Sequence, residues 1–382
     1  MSLRSFRGGR PLRYRIDRAI RYFTMRIIGW LAPKAEGVDL DPRNPSIKKI
    51  LLVRANFRMG NALLALPAIA AFRKHFPDAA IDFVGSPISQ LLFRHQPLDH
   101  HYAAPRRFPK VVWQYPRLMR ELRARQYDLA VDVSCSHSGI ASFIVGFSGA
   151  RVRVGIDGKW DQLFNLRIAK LAEENKYRKM TELLTAMHLE TNDAVSALRL
   201  SDAENEEGAK TLASFIGKRT TPAVGVFVGG RKLRGKRWPL ENFVAVAEGL
   251  RHRGIAVAVF LGPEENDLAG SLRSSLDPAI PVIFEPSVRK FAAMVAQLGL
   301  LICCDSGPMH LACAVGTRVL AIFQQGDVGR WAPPPSAARS LSGAHGTNAA
   351  MVLQAALEEL SSYGTASDLP TAPDGVRAIA QS

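Results

Sequence analysis

The stretch Leu300–Phe323 reads LLICCDSGPMHLACAVGTRVLAIF and decides the fold class. An apolar run at Leu300–Cys304 is followed by a helical pattern over residues 307–315 and by a second apolar run at Arg318–Phe323. Short apolar runs that alternate with helical patterns predict buried parallel strands. We therefore expect a strand–helix–strand unit in a sheet that is covered by helices on both faces.

The same alternation continues towards both ends of the chain and forms two series. In the second half, further strands are predicted at Ala223–Val228, Ala256–Leu261 and Pro281–Phe284, and helices over 239–252, 264–275, 288–298 and 347–361. In the first half, strands are predicted at Lys49–Arg54, Ile81–Gly85, Leu129–Val133 and, as an edge strand, Val152–Gly155, and helices near 61–75, 115–126 and 177–188. The predicted fold class is α/β, with two Rossmann-like doubly wound domains that face each other across a cleft.

A length of 382 residues favours two domains over one compact unit. The predicted organisation is a basic arm and amphipathic helix over 1–47, an N-terminal domain over 48–205, a connector over 206–221, a C-terminal domain over 222–345, a helix over 346–362 and a disordered tail over 363–382. Each of the two domains is long enough to bury a core of its own.

The composition is that of a folded protein, with 47% hydrophobic and 22% charged residues. Fifty Lys and Arg against 34 Asp and Glu give a formal charge of +16, which predicts an anionic partner: nucleic acid, an anionic membrane or a phosphorylated substrate. Nucleic-acid binding would depend on charge alone, because no aromatic platform or known module accompanies it. No nucleic-acid partner is therefore predicted.

The four cysteines show no CxxC spacing, so neither a disulfide scaffold nor a zinc site is indicated. We expect a reducing cytoplasm and no metal or other cofactor. The longest apolar stretches fall short of the roughly 20 residues that span a bilayer. No transmembrane helix is expected, and the N-terminal segment is interpreted as retained rather than as a cleaved signal.

The N-terminal segment is basic and amphipathic. After an arm that carries Arg4, Arg7 and Arg10, a periodicity of about 100° per residue predicts a helix. Its apolar face holds Leu12, Ile16, Ile20, Phe23, Ile27 and Leu31, and its opposite side holds Arg15, Arg18, Arg21 and Arg26. Two interpretations stay open: a helix packed on the body of the protein, or a helix in an anionic membrane interface.

Ligands of parallel α/β sheets bind where strands end and helices begin. The first such turn, Arg54–Asn61 (RANFRMGN), has a single glycine and is neither a dinucleotide fingerprint nor a P-loop. The second, Gly229–Pro239 (GGRKLRGKRWP), holds five cations in seven residues between glycines. That pattern favours a diphosphate site over a solvated basic loop.

The third turn, Cys304–His310 (CDSGPMH), opens a helix rich in small residues. The backbone N–H groups of Ser306 and Gly307 would bind an anion there, and the Asp305 carboxylate would accept sugar hydroxyls. The alternative makes Asp305 the N-cap and His310 a buried, hydrogen-bonded helix residue. The two interpretations are compatible.

Four segments together resemble glycosyltransferase family 9, the heptosyltransferases of lipopolysaccharide core assembly. They are Ile50–Ile69 (ILLVRANFRMGNALLALPAI), Lys236–Phe243 (KRWPLENF), Gly262–Glu265 (GPEE) and Asp305–Ala312 (DSGPMHLA), and the similarity covers roughly residues 48–362. The resemblance implies a two-domain GT-B fold and an inverting, metal-independent transfer. It also implies a lipid-linked acceptor on the N-terminal domain and ADP-heptose on the C-terminal one.

The resemblance also assigns site residues. Lys236 matches the family lysine at the donor phosphates, and Glu264 or Glu265 lies in the loop that meets the nucleoside. The predicted donor-binding residues are Gly229, Gly230, Lys232, Lys236, Arg237, Glu264, Glu265, Asp305, Ser306, Gly307 and His310. The predicted acceptor contacts are Arg54, Arg58 and Gly60.

The chain departs from the family pattern at two places. The family usually has Gly-Asp where this chain has Gly60-Asn61, and that aspartate is the proposed general base. An amide does not take a proton at neutral pH, so Asp132 or His137 would have to serve instead, or turnover would be slow. The family's Phe-Gly-Pro-Thr-Asp is replaced by FQQGD at Phe323–Asp327, so the donor-side loop is expected to differ.

Two functions from different classes follow. The first is a heptosyltransferase-like enzyme acting on a nucleotide-diphosphate sugar and a lipopolysaccharide core or lipid A-type acceptor. It would be cytoplasmic and peripheral on the anionic inner membrane. The second is a sugar-nucleotide or lipopolysaccharide-binding protein that kept the donor pocket and lost the base at Asn61.

Overall fold

The structure is a computed structural model that describes residues 44, 46–105, 111–191, 195, 197–218, 221–230, 237–324, 327–342 and 347–362. The predicted N-terminal arm and helix, the basic residues 231–236 and the predicted disordered tail lie outside these ranges. The described residues form two six-stranded sheets with helices against them, so the predicted α/β class and its two doubly wound sheets are confirmed.

The first sheet contains β1 (Lys49–Val53), β2 (Ala80–Gly85), β3 (His100–Ala103), β4 (Leu129–Asp132), β5 (Val152–Ile156) and β6 (Leu166–Ile168). Its order is β3-β2-β1-β4-β5-β6, and every neighbouring pair is parallel. The central strands β1 and β4 are apolar and almost wholly buried, as expected for a sheet covered on both faces.

Helices of the first half are α1 (Met59–Leu63), α2 (Leu66–His75), α3 (Pro87–Leu92), α4 (Val111–Arg125), α5 (Gly139–Phe147) and α6 (Lys176–Ala186). The single helix predicted near 61–75 is divided into α1 and α2. Pro67 lies in the first turn of α2 and has no N–H to donate to the Leu63 carbonyl, so the helix starts anew there.

The second sheet contains β7 (Ala223–Phe227), β8 (Val257–Leu261), β9 (Val282–Phe284), β10 (Leu298–Cys304), β11 (Arg318–Phe323) and β12 (Ala338–Ser342). Its order is β12-β11-β10-β7-β8-β9, again with parallel pairs. Its helices are α7 (Asp202–Ile216), α8 (Leu240–Arg251), α9 (Ala269–Ser275), α10 (Val288–Val295), α11 (Gly307–Ala314), α12 (Val328–Trp331) and α13 (Ala349–Ser362).

One sheet position was predicted wrongly. Val152–Gly155 was expected at an edge, but β5 lies between β4 and β6. The true outer strand β6 has only three residues, Leu166–Ile168, one of them an exposed arginine, so it gives almost no apolar signal. The other outer strand, β3, has the sequence HHYA and is equally weak as a strand pattern.

The two halves contact each other along the ends of their sheets. Helix α1 packs on α11, α6 on α12, and α3 on α10. Arg289 of α10 is buried and links both halves, because its guanidinium donates to the Leu92 and Arg199 carbonyls and to the Glu204 carboxylate. These contacts bring the carboxyl ends of β1 and β10, where the sequence placed the chemistry, face to face.

Candidate functional site

The turn after β1 lies directly against the turn after β10. A Cβ atom on Gly60 would come within 2.3 Å of the His310 Cδ2 atom, and one on Gly307 within 2.6 Å of the Met59 methyl group. Such distances are far below van der Waals contact, so each position accepts glycine alone unless the neighbouring group moves. The first turns of α1 and α11 therefore touch through their smallest residues.

His310 is buried in this contact and held from two sides. Its Nδ1 atom shares a hydrogen bond of 2.5 Å with the Tyr177 hydroxyl of α6, and Trp331 lies edge-on at 6.1 Å between ring centroids. Burial raises the pKa of Tyr177 well above its usual value, so the hydroxyl stays protonated. The prediction of a buried, hydrogen-bonded His310 is confirmed, and its partner comes from the other half of the chain.

The Ser306 side chain does not cap the N-terminal end of α11. Ser306 is the N-cap, so the alternative that made Asp305 the cap is wrong. The Ser306 hydroxyl donates to the Cys304 carbonyl at 3.0 Å instead of accepting from the helix. Asp305, Ser306 and Gly307 are all half-buried, which leaves the first turn of this eight-residue helix accessible to an anion.

Arg54, a predicted acceptor contact, lies inside the protein with only 3% of its surface exposed. Its Nε donates to the Asn61 carbonyl at 2.6 Å and its Nη1 to the Val133 carbonyl at 2.5 Å. Burial lowers its pKa below the usual 12.5. Arg54 thus fixes the turns after β1 and β4 relative to each other, whereas Arg58 is exposed at the N-cap of α1 and Asn61 is half-buried.

The two alternative bases have different surroundings. Asp132 is 4% exposed and accepts hydrogen bonds from the Ser134 N–H at 2.9 Å and the Ser142 hydroxyl at 3.3 Å. Burial raises its pKa from 3.8 to about 6, and those hydrogen bonds and Arg54 oppose the shift. His137 is exposed beside Gly158. Asp132 is thus a buried carboxyl with a raised pKa, whereas His137 has the better access to solvent.

On the C-terminal side, Gly229 and Gly230 follow β7 and are buried. Glu265, 4% exposed, accepts a hydrogen bond at 3.0 Å from the Arg237 Nη2 and another from the Gly230 N–H. Burial raises the pKa of Glu265, while Arg237 opposes that shift. The Arg237 charge, expected to face the donor phosphates, is therefore paired with Glu265, and Glu264 is exposed beside it.

Lys232 and Lys236 lie outside the described residues, so the structure gives no position for them. Sequence reasoning missed Tyr177, Lys176, Arg330 and Trp331. Lys176 and Tyr177 lie on α6 and Arg330 and Trp331 on α12, and no local sequence pattern signals that these helices pack on each other and beside α11.

The first half also contains a cavity of about 740 Å³ beside the carboxyl ends of β2 and β3. Its wall combines apolar and polar side chains, among them Phe57, Ile88, Tyr102, Leu118, Gln90, Gln114, Arg117 and Glu121. Phe57 belongs to the turn after β1, the turn that also carries Gly60. Within the described ranges, no helix is both long and apolar enough to cross a membrane.

Comparison with known proteins agrees with this architecture. The family model described as glycosyltransferase family 9 (heptosyltransferase) matches residues 115–360. A lipopolysaccharide heptosyltransferase 3 of Escherichia coli is 24% identical over 289 residues, covering 72% of this chain and 83% of the relative. A lipooligosaccharide heptosyltransferase 2 of Haemophilus ducreyi is also 24% identical, over 70% of this chain and 80% of its own length.

Two solved structures share the fold. A glycosyl transferase of family 9 from Veillonella parvula superposes with a TM-score of 0.73 at 18% identity, covering 86% of this chain and all of that one. The ADP-heptose lipopolysaccharide heptosyltransferase II of Escherichia coli gives 0.65 at 18% identity, covering 83% and 99%. The two sheets are therefore those of a GT-B fold. The chain belongs to glycosyltransferase family 9 and is a heptosyltransferase-like glycosyltransferase.

Proposed function

We propose that this enzyme transfers heptose, or a related sugar, from a nucleotide-diphosphate sugar to a lipopolysaccharide core or lipid A-type acceptor. ADP-heptose is the favoured donor, because the relatives of known activity are heptosyltransferases. The observation that carries the proposal is the Gly60–His310 contact, which places the Asp305–His310 motif of one half against the Gly60-Asn61 turn of the other. Donor and acceptor would meet at that point.

In this proposal the donor lies on residues 222–345. The N-terminal end of α11 receives the diphosphate through the N–H groups at Ser306 and Gly307, and Asp305 accepts sugar hydroxyls. Lys236 supplies the charge next to the phosphates. Arg237 is paired with the buried Glu265 and fixes the loop that meets the nucleoside. Lys236 therefore neutralises the phosphates without Arg237.

The acceptor would lie on residues 48–205, with the cavity beside Phe57 and Tyr102 receiving part of its saccharide. A hydroxyl of the acceptor attacks the anomeric carbon on the face opposite the diphosphate, which inverts the configuration. The diphosphate leaves with the bonding electrons, and Lys236 and α11 stabilise its negative charge. No metal is needed for this step.

Proton removal is where this chain differs from its family. Asn61 offers an amide at the position of the family's aspartate, and an amide orients a hydroxyl by hydrogen bonding without deprotonating it. General base catalysis typically contributes about 10²–10⁴-fold, so we expect slow turnover unless Asp132 or His137 takes the proton. The same observation favours a second candidate function, a binding protein with an intact donor pocket and no transfer.

The chain is also proposed to work in the cytoplasm at the anionic inner-membrane surface, where a lipid-linked acceptor would be found. The net charge of +16 and the basic amphipathic pattern of residues 12–31 support this proposal. Deleting residues 1–33 should release the protein from anionic vesicles and leave its fold intact. Unfolding of the truncated protein, together with full-length protein that ignores vesicles, would assign the helix to the core.

Donor selectivity tests the proposed function directly. Calorimetric titration with ADP-heptose, ADP and several uridine- and guanosine-diphosphate sugars should give the highest affinity for ADP-heptose. Lys236→Ala should weaken donor binding by about 1.5–3 kcal/mol, the range for a hydrogen bond to a charged group. Arg253→Ala, an exposed cation on the same half, is the control and should leave affinity unchanged. Equal affinities across all donors would contradict the assignment.

A further inference from the structure

Lys176 occupies the first position of α6, at the junction of the two halves. Its neighbour Asn175 donates across the junction to the Ala332 carbonyl at 2.9 Å and to the Gly329 carbonyl at 3.2 Å. Its other neighbour, Tyr177, bonds to His310 of α11. Because both neighbours are anchored to the C-terminal half, the half-buried Lys176 is fixed beside α12 and close to the reaction centre.

The groups that act most strongly on the Lys176 ammonium are cations from three different elements. Lys179 lies on the same helix, Arg330 on α12, and Arg54 at the end of β1. The Cys135 thiol also faces it, but burial raises that thiol's pKa to about 11, so it is neutral near pH 7. Within the part of the chain that the structure describes, no carboxylate forms an ion pair with Lys176, Lys179 or Arg330.

This concentration of positive charge is unfavourable in the absence of an anion. Burial, together with Lys179, Arg330 and Arg54, lowers the pKa of Lys176 from 10.5 to about 8. A phosphate or carboxylate placed among these groups would remove the repulsion. Strong perturbation by burial and by specific charged partners is concentrated at functional sites.

We propose that Lys176, Lys179 and Arg330 bind a phosphate or carboxylate group of a substrate at the junction of the two halves. The position is next to the reaction centre, since Arg330 lies over the Trp331 ring at 5.6 Å and Trp331 contacts His310. Both halves contribute cations, so the bound anion also stabilises their contact. That the anion belongs to a substrate depends on the proposed function; the anion site itself does not.

The proposal predicts coupling between binding and protonation. An anion favours the charged ammonium, so its binding raises the pKa of Lys176 and takes up protons near pH 8. Affinity should fall as the pH rises above about 8, where the free enzyme holds a neutral amine. The coupling is assigned to Lys176, whose pKa of about 8 lies in this range.

Calorimetry measures this coupling. Inorganic phosphate and pyrophosphate are titrated into the full chain at pH 8 in buffers of different ionisation enthalpy, which gives the number of protons taken up. Lys176→Met should abolish the uptake and weaken binding about tenfold or more. Arg178→Met changes the same charge on the exposed side of α6 and should change neither quantity. Arg330→Met, at an exposed position, should weaken binding without affecting the fold.

Two further titrations identify the source of the anion. If saturating ADP abolishes the proton uptake, the site holds the donor diphosphate. If the uptake persists with ADP bound and is abolished by a phosphorylated lipid-linked saccharide, the site holds an acidic group of the acceptor. Both results support the anion site.

Proton uptake and affinity that are unchanged in both Lys176→Met and Arg330→Met would overturn the proposal. Because none of these titrations requires sugar transfer, failure of the anion site is distinct from failure of the proposed function. An active transferase without uptake at Lys176 would disprove only the site. Uptake at Lys176 in a protein that transfers no sugar would disprove only the transferase.

Discussion

The His310 ring packs on Gly60 so closely that a Cβ atom added to Gly60 would lie 2.3 Å from the His310 Cδ2 atom. The imidazole is held in place, because the Tyr177 hydroxyl bonds to its Nδ1 atom and the Trp331 ring lies edge-on to it. The contact joins the turn after β1 to helix α11. It is one of several contacts that hold the two halves together, beside α6 on α12 and the Arg289 hydrogen bonds.

Gly60→Ala should destabilise this contact. The added methyl group forces His310 or α1 to shift, and overpacking of this kind costs about 1–3 kcal/mol of unfolding free energy. Urea unfolding measures the loss. Gly270→Ala is the control, because a Cβ atom there meets nothing within 4 Å and its helix should be unaffected or slightly stabilised. Equal stability of the two variants would contradict the close contact.

Tyr177→Phe should destabilise the protein by about 1–3 kcal/mol, since it leaves the buried His310 Nδ1 without its partner. Tyr115→Phe is matched to it: within the described residues the buried Tyr115 hydroxyl has no hydrogen-bond partner, so its removal should be neutral or stabilising. Denaturant unfolding compares the two. Equal losses of unfolding free energy in the two variants would contradict a stabilising Tyr177–His310 hydrogen bond.

Glu204→Gln should change how stability depends on pH. Hydrogen bonds from Arg289 hold the pKa of Glu204 at about 2, below its ordinary 4.5, and the Ser201 N–H and His95 act in the same direction. Because folding favours the ionised form, this stabilisation is present above about pH 4.5 and is lost as the pH falls towards 2.

The glutamine variant should therefore lose on the order of 2–3 kcal/mol of unfolding free energy at neutral pH. Its stability should also fall less steeply than that of the wild type between pH 5 and 2. Thermal unfolding across this pH range measures both effects. Glu206→Gln, on the same helix and paired with the exposed Lys210, should leave the profile almost unchanged. If the stability of wild type and Glu204→Gln falls equally between pH 5 and 2, the ionised Glu204 does not stabilise the fold.

Much of the fold was predictable, because strands such as β1 and β10 are short apolar runs between helical patterns. The prediction failed where strands are short or polar, at β3 and β6, since their positions depend on pairing with a neighbour rather than on their own residues. Helix α5 was also missed: GIASFIVGF has nine residues and no charged side chain, and so short an uncharged run does not distinguish a buried helix from a buried strand.

The candidate site was predictable as a set of turns but not as a set of contacts. Position at strand ends indicated Gly60, Asn61 and the Asp305–His310 motif. It did not indicate that Arg54 would be buried against the Asn61 and Val133 carbonyls, nor that Tyr177 would reach His310 from a helix far away in the sequence. These contacts depend on how distant segments of the chain pack, and a short stretch of sequence does not indicate that packing.

Asn61→Asp should raise the turnover of a slow enzyme by at least tenfold, because it places a carboxylate of nearly the same size where the family resemblance predicts the general base. The bond from Arg54 goes to the main-chain carbonyl of Asn61, so the substitution leaves it intact. Asn56→Asp introduces the same charge in the same loop, keeps the acceptor for the Arg58 N–H, and should not raise turnover.

If Asn61→Asp changes little while Asp132→Asn or His137→Ala removes activity without weakening donor binding, that residue is the base and Asn61 only orients the acceptor. The Asp132 and His137 variants, each assayed alone, separate the two alternatives. A base with the Asp132 pKa of about 6 gives a rate that rises as the pH increases through 6.

Mass spectrometry of the acceptor tests the central claim most directly. Purified full-length protein is incubated with ADP-heptose and a panel of truncated lipopolysaccharide core lipids, with the same panel repeated for other nucleotide sugars. The account predicts the addition of one heptose to a core acceptor with release of ADP, faster with Asn61→Asp than with wild type. If neither protein adds any sugar from any donor while donor binding persists, the enzymatic function is contradicted and the binding-protein alternative takes its place.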